Sequence, residues 1–163
     1  MNGLLFLSSE DFQISDTPNG KLLNCNVNQG LCLVLFYSNQ CVHSQRALPI
    51  FKRLPQAIHG CSFGLLNVSN NARVVHISKQ TLAPITYVPL IFLYMNGQPC
   101  YKYKGNMDIR EIQNFILQMS KLLETKQQFV DNIKDTSRPE FTTGIPYCDD
   151  KVCYLEFQMA YKQ

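Results

Sequence analysis

The sequence predicts an α/β fold followed by a small C-terminal extension, and three observations carry that reading. An unbroken apolar run, Leu31 to Tyr37, gives way after Ser38, Asn39 and Gln40 to apolar residues at helical spacing. A second apolar run, Leu90 to Met95, opens on Pro89 and closes on Asn96-Gly97, a dipeptide suited to the left-handed positions of a tight hairpin. Strand-like and helix-like segments alternate as far as residue 124, after which the composition changes.

The chain has 163 residues, room for one ordinary core and a modest appendage. At 45% hydrophobic and 17% charged it falls among globular proteins, away from disordered tails. A net charge of +3 arises from scattered Lys and Arg without a run of either, so neither a nucleic-acid partner nor a membrane surface is expected. The apolar stretch Leu4 to Leu7 has no basic residue before it, Lys21 being the first, so it lacks the charged opening of a signal peptide. No apolar run is long enough to insert into a bilayer. The seven cysteines, Cys25, Cys32, Cys41, Cys61, Cys100, Cys148 and Cys153, form an odd and dispersed set that suits a reduced, cytoplasmic complement.

Along the chain, Leu31 to Tyr37 suits a strand buried on both faces. The positions Ala47, Leu48, Ile50, Phe51, Leu54, Ala57 and Ile58 then give one buried helical stripe, ended by His59 and Gly60, with Pro49 inside it as a source of kinking. Phe63 to Val68 reads as a second strand, and Val74, Val75 and Ile77 as a weak helix. After the Pro89-led strand and its turn, Cys100 to Lys104 should return as a half-exposed edge strand, Tyr101 and Tyr103 alternating with Lys102 and Lys104. Ile109, Ile112, Phe115, Ile116, Met119, Leu122 and Leu123 carry a clear helical period, with Asn106 or Asp108 as cap.

A central strand, a turn with a cysteine, a proline-bearing helix, strand, helix, proline-led hairpin and last helix resemble the order of the thioredoxin fold. The match covers roughly residues 4 to 124. Cys41 lies where that family has its nucleophile, Pro49 resembles its helix proline, and Pro89 after Val88 resembles its cis-proline. The resemblance implies a three-layer architecture, a mixed central sheet flanked by helices. It divides the chain into a thioredoxin-like domain, 1–124, and an extension, 125–163, with a hairpin around Cys148 and Cys153.

The chemistry expected at such a site follows from position. A thiol at a helix N-terminus meets the partial positive charge of open amides, which favours the attacking thiolate. In the family a second cysteine three residues on resolves the mixed disulfide, but here that place is Ser44, so the motif is Cys41-Val42-His43-Ser44. Ser44 and His43 could each stabilise a thiolate, whereas Ser44 cannot form the resolving disulfide. Gln40 stands where the family usually has tryptophan, and Leu35 where dithiol members carry a buried acid. The resemblance also implies that Val88 and Pro89 present backbone to an extended client by strand addition.

Two functions remain open on these residues. One is a binding or structural protein on a degenerate thioredoxin scaffold, holding a protein partner through the Pro89 surface or the extension. The other is a glutathione-dependent monothiol oxidoreductase, isomerase or thiol-capture chaperone using Cys41. Neither needs a metal or other cofactor, and His59 and His76 have no ligand spacing. Cys148 and Cys153 flank a short turn and could form a disulfide, half of a zinc site or two packed thiols. The aromatic tail, with Tyr147, Tyr154, Phe157 and Tyr161, suits a docking strand. It is similar to extensions of thioredoxin-like proteins of large DNA viruses, which implies a virion as the alternative location to the cytoplasm.

Overall fold

The computed structural model describes residues 3–26, 30–124, 147–148 and 152–154. In chain order the elements are β1 (Leu4–Phe6), β2 (Phe12–Thr17), β3 (Gly20–Cys25), β4 (Leu31–Tyr37), α1 (Val42–Ala57), β5 (Ser62–Asn67), α2 (Ala72–Ser78), β6 (Tyr87–Val88), β7 (Leu90–Met95), β8 (Gln98–Tyr103), α3 (Ile109–Glu124), β9 (Tyr147–Cys148) and β10 (Cys153–Tyr154).

Strand β4 is apolar throughout because both of its faces are covered. It lies at the centre of a five-stranded sheet ordered β1-β5-β4-β7-β8, in which β1, β5 and β4 run parallel and β7 and β8 are antiparallel to their neighbours. Its pleat sends Leu33 and Leu35 to one side, where they pack with Phe51 and Leu54 of α1 and with Ile112 and Ile116 of α3. Cys32, Val34 and Phe36 go to the other, among Leu22 and Leu23 of β3, Val74 and Val75 of α2, and Phe92 of β7. The result is the expected mixed sheet between two layers, with one addition. Part of the second layer is the β2–β3 hairpin, registered from Phe12↔Cys25 to Thr17↔Gly20, a segment to which sequence periodicity had assigned no element.

The Asn96-Gly97 turn forms as expected, with φ of 52° and 87°. It also docks. Cys25 N–H donates to Gly97 O at 2.8 Å, and Gly30 N–H donates to Asn96 Oδ1 at 2.7 Å. A Cβ at Gly97 would stand 2.5 Å from the Cys25 carbonyl oxygen, so the turn needs glycine twice over, for conformation and for approach.

Helix α1 runs through both Pro49 and Pro55. In α3 the Asp108 carbonyl accepts the Ile112 N–H, and the Glu111 carboxylate accepts the Asn106 N–H at 2.9 Å, fixing the loop that leads into the helix.

Strand β8 differs from expectation in extent and exposure. It spans Gln98–Tyr103, and Lys102, expected to face solvent, is 7% exposed. The reason is its register. Lys102 pairs with Phe92, and its Nζ stands 5.6 Å from the Tyr87 ring centre and 5.8 Å from that of Phe92. The aliphatic stem is buried while the charge rests against aromatic faces.

Of the extension, only 147–148 and 152–154 are described. Strands β9 and β10 pair antiparallel, and β10 also pairs antiparallel with β6, in a three-stranded sheet ordered β6-β10-β9.

Candidate functional site

The site is built where β4 ends and α1 begins. The intervening turn is held by its own polar groups: Cys41 N–H donates to Ser38 O at 3.1 Å, Gln40 N–H to Ser38 Oγ at 3.2 Å, and the Ser38 and Ser69 hydroxyls lie 2.8 Å apart. Cys41 is the N-cap, and its carbonyl accepts the first helical bond, from Gln45 N–H at 3.0 Å. Its side chain therefore stands at the positive end of a sixteen-residue helix.

The expected neighbours are present. The Val88–Pro89 bond is cis, and the Cys41 thiol donates to the Val88 carbonyl at 3.7 Å. Val88 is buried and Pro89 half-buried. His43 lies half-buried in the first turn of α1. Ser44 is fully buried, and its Oγ accepts the Ser38 N–H at 3.3 Å, which ties the helix to the end of β4. The hydroxyl thus has a structural task in the turn. Leu35 is buried within β4, leaving an apolar wall where an acid would serve proton transfer, and Gln40 is exposed.

Sequence reasoning marked the tail as a docking strand but did not place it at this constellation. Cys41 is 3% exposed, and Val152 and Cys153, 5% exposed each, lie in the same apolar cluster as Cys41, Tyr87 and Val88. Strand β10 sets Cys153 opposite Val88 and Tyr154 opposite Tyr87. The backbone edge that would receive an extended client is therefore paired with the chain's own extension. The sequence signal for this was the tail's aromatic composition, which suits a docking strand without naming the edge it pairs with.

Cys153 is disulfide-bonded, and its register neighbour across the β9–β10 pair is Cys148. Cys25, Cys32, Cys41, Cys61 and Cys100 are not disulfide-bonded. Far from the site, burial pushes the Cys61 and Cys100 thiols up to about 12, so both keep their protons. Among the described residues, no group of three or more His, Cys, Asp or Glu side chains could hold a metal ion. No helix among them is long and apolar enough to cross a membrane.

The family model described as Thioredoxin matches residues 17–118. The chain is 32% identical to uncharacterized protein 196R of Invertebrate iridescent virus 6, over 99% of this chain and 95% of that protein. It is 31% identical to uncharacterized protein 020R of Invertebrate iridescent virus 3, over 98% and 96%. Among solved structures it is similar to human ERp44, with a TM-score of 0.52 at 19% identity, a likeness of fold. That alignment covers 72% of this chain but only 29% of the ERp44 chain, so the chain spans less than a third of that protein's length.

Proposed function

The chain belongs to the thioredoxin family, and from that premise we propose that it is a protein-binding member whose edge at Val88 and Pro89 takes up an extended chain, without a two-cysteine reduction cycle. The observation that carries this reading is the pairing of β10 with β6. The edge already holds an extended segment in antiparallel register, and Val152, which leads into that segment, is buried in the same apolar cluster as Cys41. A strand that adds to a sheet edge gains affinity from backbone bonds and specificity from alternate side chains, so a client with an apolar residue in the Val152 place would compete for the same seat. Ser44 argues in the same direction, since a hydroxyl cannot close the internal disulfide that releases a client. Kinship with two iridovirus proteins supports a viral setting, and the proposal places the protein in the virion or in the cytoplasm of the infected cell. Proteomics of purified particles distinguishes the two.

The test uses the full chain and a labelled peptide of its own residues 144–157 with both cysteines as serine. Val152→Asp weakens the internal strand and should bind the peptide at least about tenfold more tightly than wild type, since a buried unpaired carboxylate costs more than 1.4 kcal/mol, roughly the value of a tenfold change. Equal binding, or none by either protein, contradicts the reading.

A second reading keeps thiol chemistry, and the position of Cys41 at the α1 N-cap favours it. On that reading the protein is a glutathione-dependent monothiol oxidoreductase. Turnover of a glutathione mixed disulfide by wild type but not by Cys41→Ser would establish it.

A further inference from the structure

We infer that Cys153 is the exchange partner of Cys41, so that the extension supplies in cis the sulfur that position 44 lacks. This goes beyond the binding reading and does not rest on it.

Two independent placements converge on Val88. From the α1 side, the Cys41 sulfur lies 3.7 Å from the Val88 carbonyl oxygen. From the extension, Cys153 is the residue directly opposite Val88 across an antiparallel pair, where facing Cα atoms stand about 4.5–5.5 Å apart. Both side chains are buried in one apolar cluster, Cys41 at 3% and Cys153 at 5% exposure. The Cys153 sulfur is already part of a disulfide, the species that a thiolate attacks.

The register also points to Cys148 as the other half of that disulfide and sets its backbone further from Val88. Cys148 faces Cys153 across β9 and β10, at the backbone separation of an antiparallel pair, which a disulfide can bridge, and Cys25, Cys32, Cys41, Cys61 and Cys100 are in no disulfide. The order β6-β10-β9 sets Cys148 one strand further from Val88, about 4.8 Å beyond Cys153. Cys41 thus meets Cys153 first.

The step balances within the chain. The Cys41 thiol gives up its proton, and its sulfur attacks Cys153 Sγ. A Cys41–Cys153 bond forms as the Cys153–Cys148 bond breaks, and the electron pair leaves on Cys148 Sγ, which takes up a proton. One disulfide replaces another, with no net oxidation. The consequence is a latch. While Cys153 is bonded to Cys148, β10 is held on the β6 edge by pairing and apolar contact alone. Once it is bonded to Cys41, the edge is closed covalently.

The experiment is disulfide mapping of the full chain, equilibrated in glutathione redox buffer, quenched with acid and digested without reduction. In Cys148→Ser, where oxidised glutathione serves as the oxidant, the principal linkage should be Cys41–Cys153, with Cys41 lost to alkylation. Recovery of Cys41 as a free thiol, with Cys153 reduced or bonded to glutathione, overturns the inference. Cys153→Ser supplies the second arm and should yield at least about tenfold less Cys41–Cys148 linkage than the first variant yields Cys41–Cys153. Equal yields would mean a loose tail without register, and would also overturn it. Peptide binding by Val152→Asp is read separately, so failure of the exchange leaves the binding test standing.

Discussion

At position 44 a hydroxyl stands where a resolving thiol would complete a two-cysteine site, and its place in the turn shows what the oxygen does instead. Ser44 Oγ accepts the buried Ser38 N–H. Ser44→Ala should therefore destabilise the fold by about 1 kcal/mol, the cost of leaving one buried donor without its acceptor, as measured by urea unfolding. A change below about 0.3 kcal/mol would show that the 3.3 Å bond carries little. The thiols of Cys61 and Cys100 make a pH prediction. Burial raises both from 9.0 to about 12, so above the lower value the unfolded chain sheds protons that the folded chain retains. Their contribution is intact below the lower value and falls as pH rises between the two, by roughly 1.4 kcal/mol per pH unit for each thiol. Urea midpoints should drop between pH 8 and pH 10, with a shallower drop for the Cys61→Ala, Cys100→Ala double variant; equal drops would count against the assignment.

Among the elements, those with a strong local pattern were legible in the sequence and those defined by a neighbour were not. β4, β7 and α3 declare themselves because a run covered on both faces, or a sustained helical stripe, leaves its mark on consecutive residues. The β2–β3 hairpin does not, because Leu22 and Leu23 are both buried and break the alternation that marks a half-exposed strand. Lys102 misled for a related reason: the charge that reads as solvent-facing rests on Tyr87 and Phe92, rings brought to it only by the folded sheet. The Asn96-Gly97 turn was legible as a hairpin but not as a docking point. Gly97→Ala should lower stability by more than the roughly 1 kcal/mol that a left-handed alanine costs alone, since the new methyl meets the Cys25 carbonyl. Thermal unfolding checks this, and a loss no greater than that of an exposed left-handed glycine elsewhere, such as Gly60→Ala, would contradict it.

On the scale of the molecule, the site was legible as a list and illegible as an assembly. The Cys41 thiol reaches the carbonyl of Val88, the residue before the cis Pro89, because the fold fixes where β4 ends and where β7 begins. What the list could not contain is the return of a segment more than sixty residues downstream to the strand before Pro89, since pairing between distant strands leaves no periodic trace. That return changes the meaning of the motif. An exposed one-cysteine site would point to capture of thiol clients from solution, whereas on the proposed reading access to Cys41 is a property of the extension.

The central claim is that the extension covers Cys41, and the rate of Cys41 alkylation in the native, full-length protein tests it most directly. Iodoacetamide labelling, followed on the Cys41 peptide by mass spectrometry, should be at least about tenfold faster in Val152→Asp than in wild type, with Cys61 and Cys100 protected in both. Equal Cys41 rates in the two proteins, with the fold intact, would contradict the account.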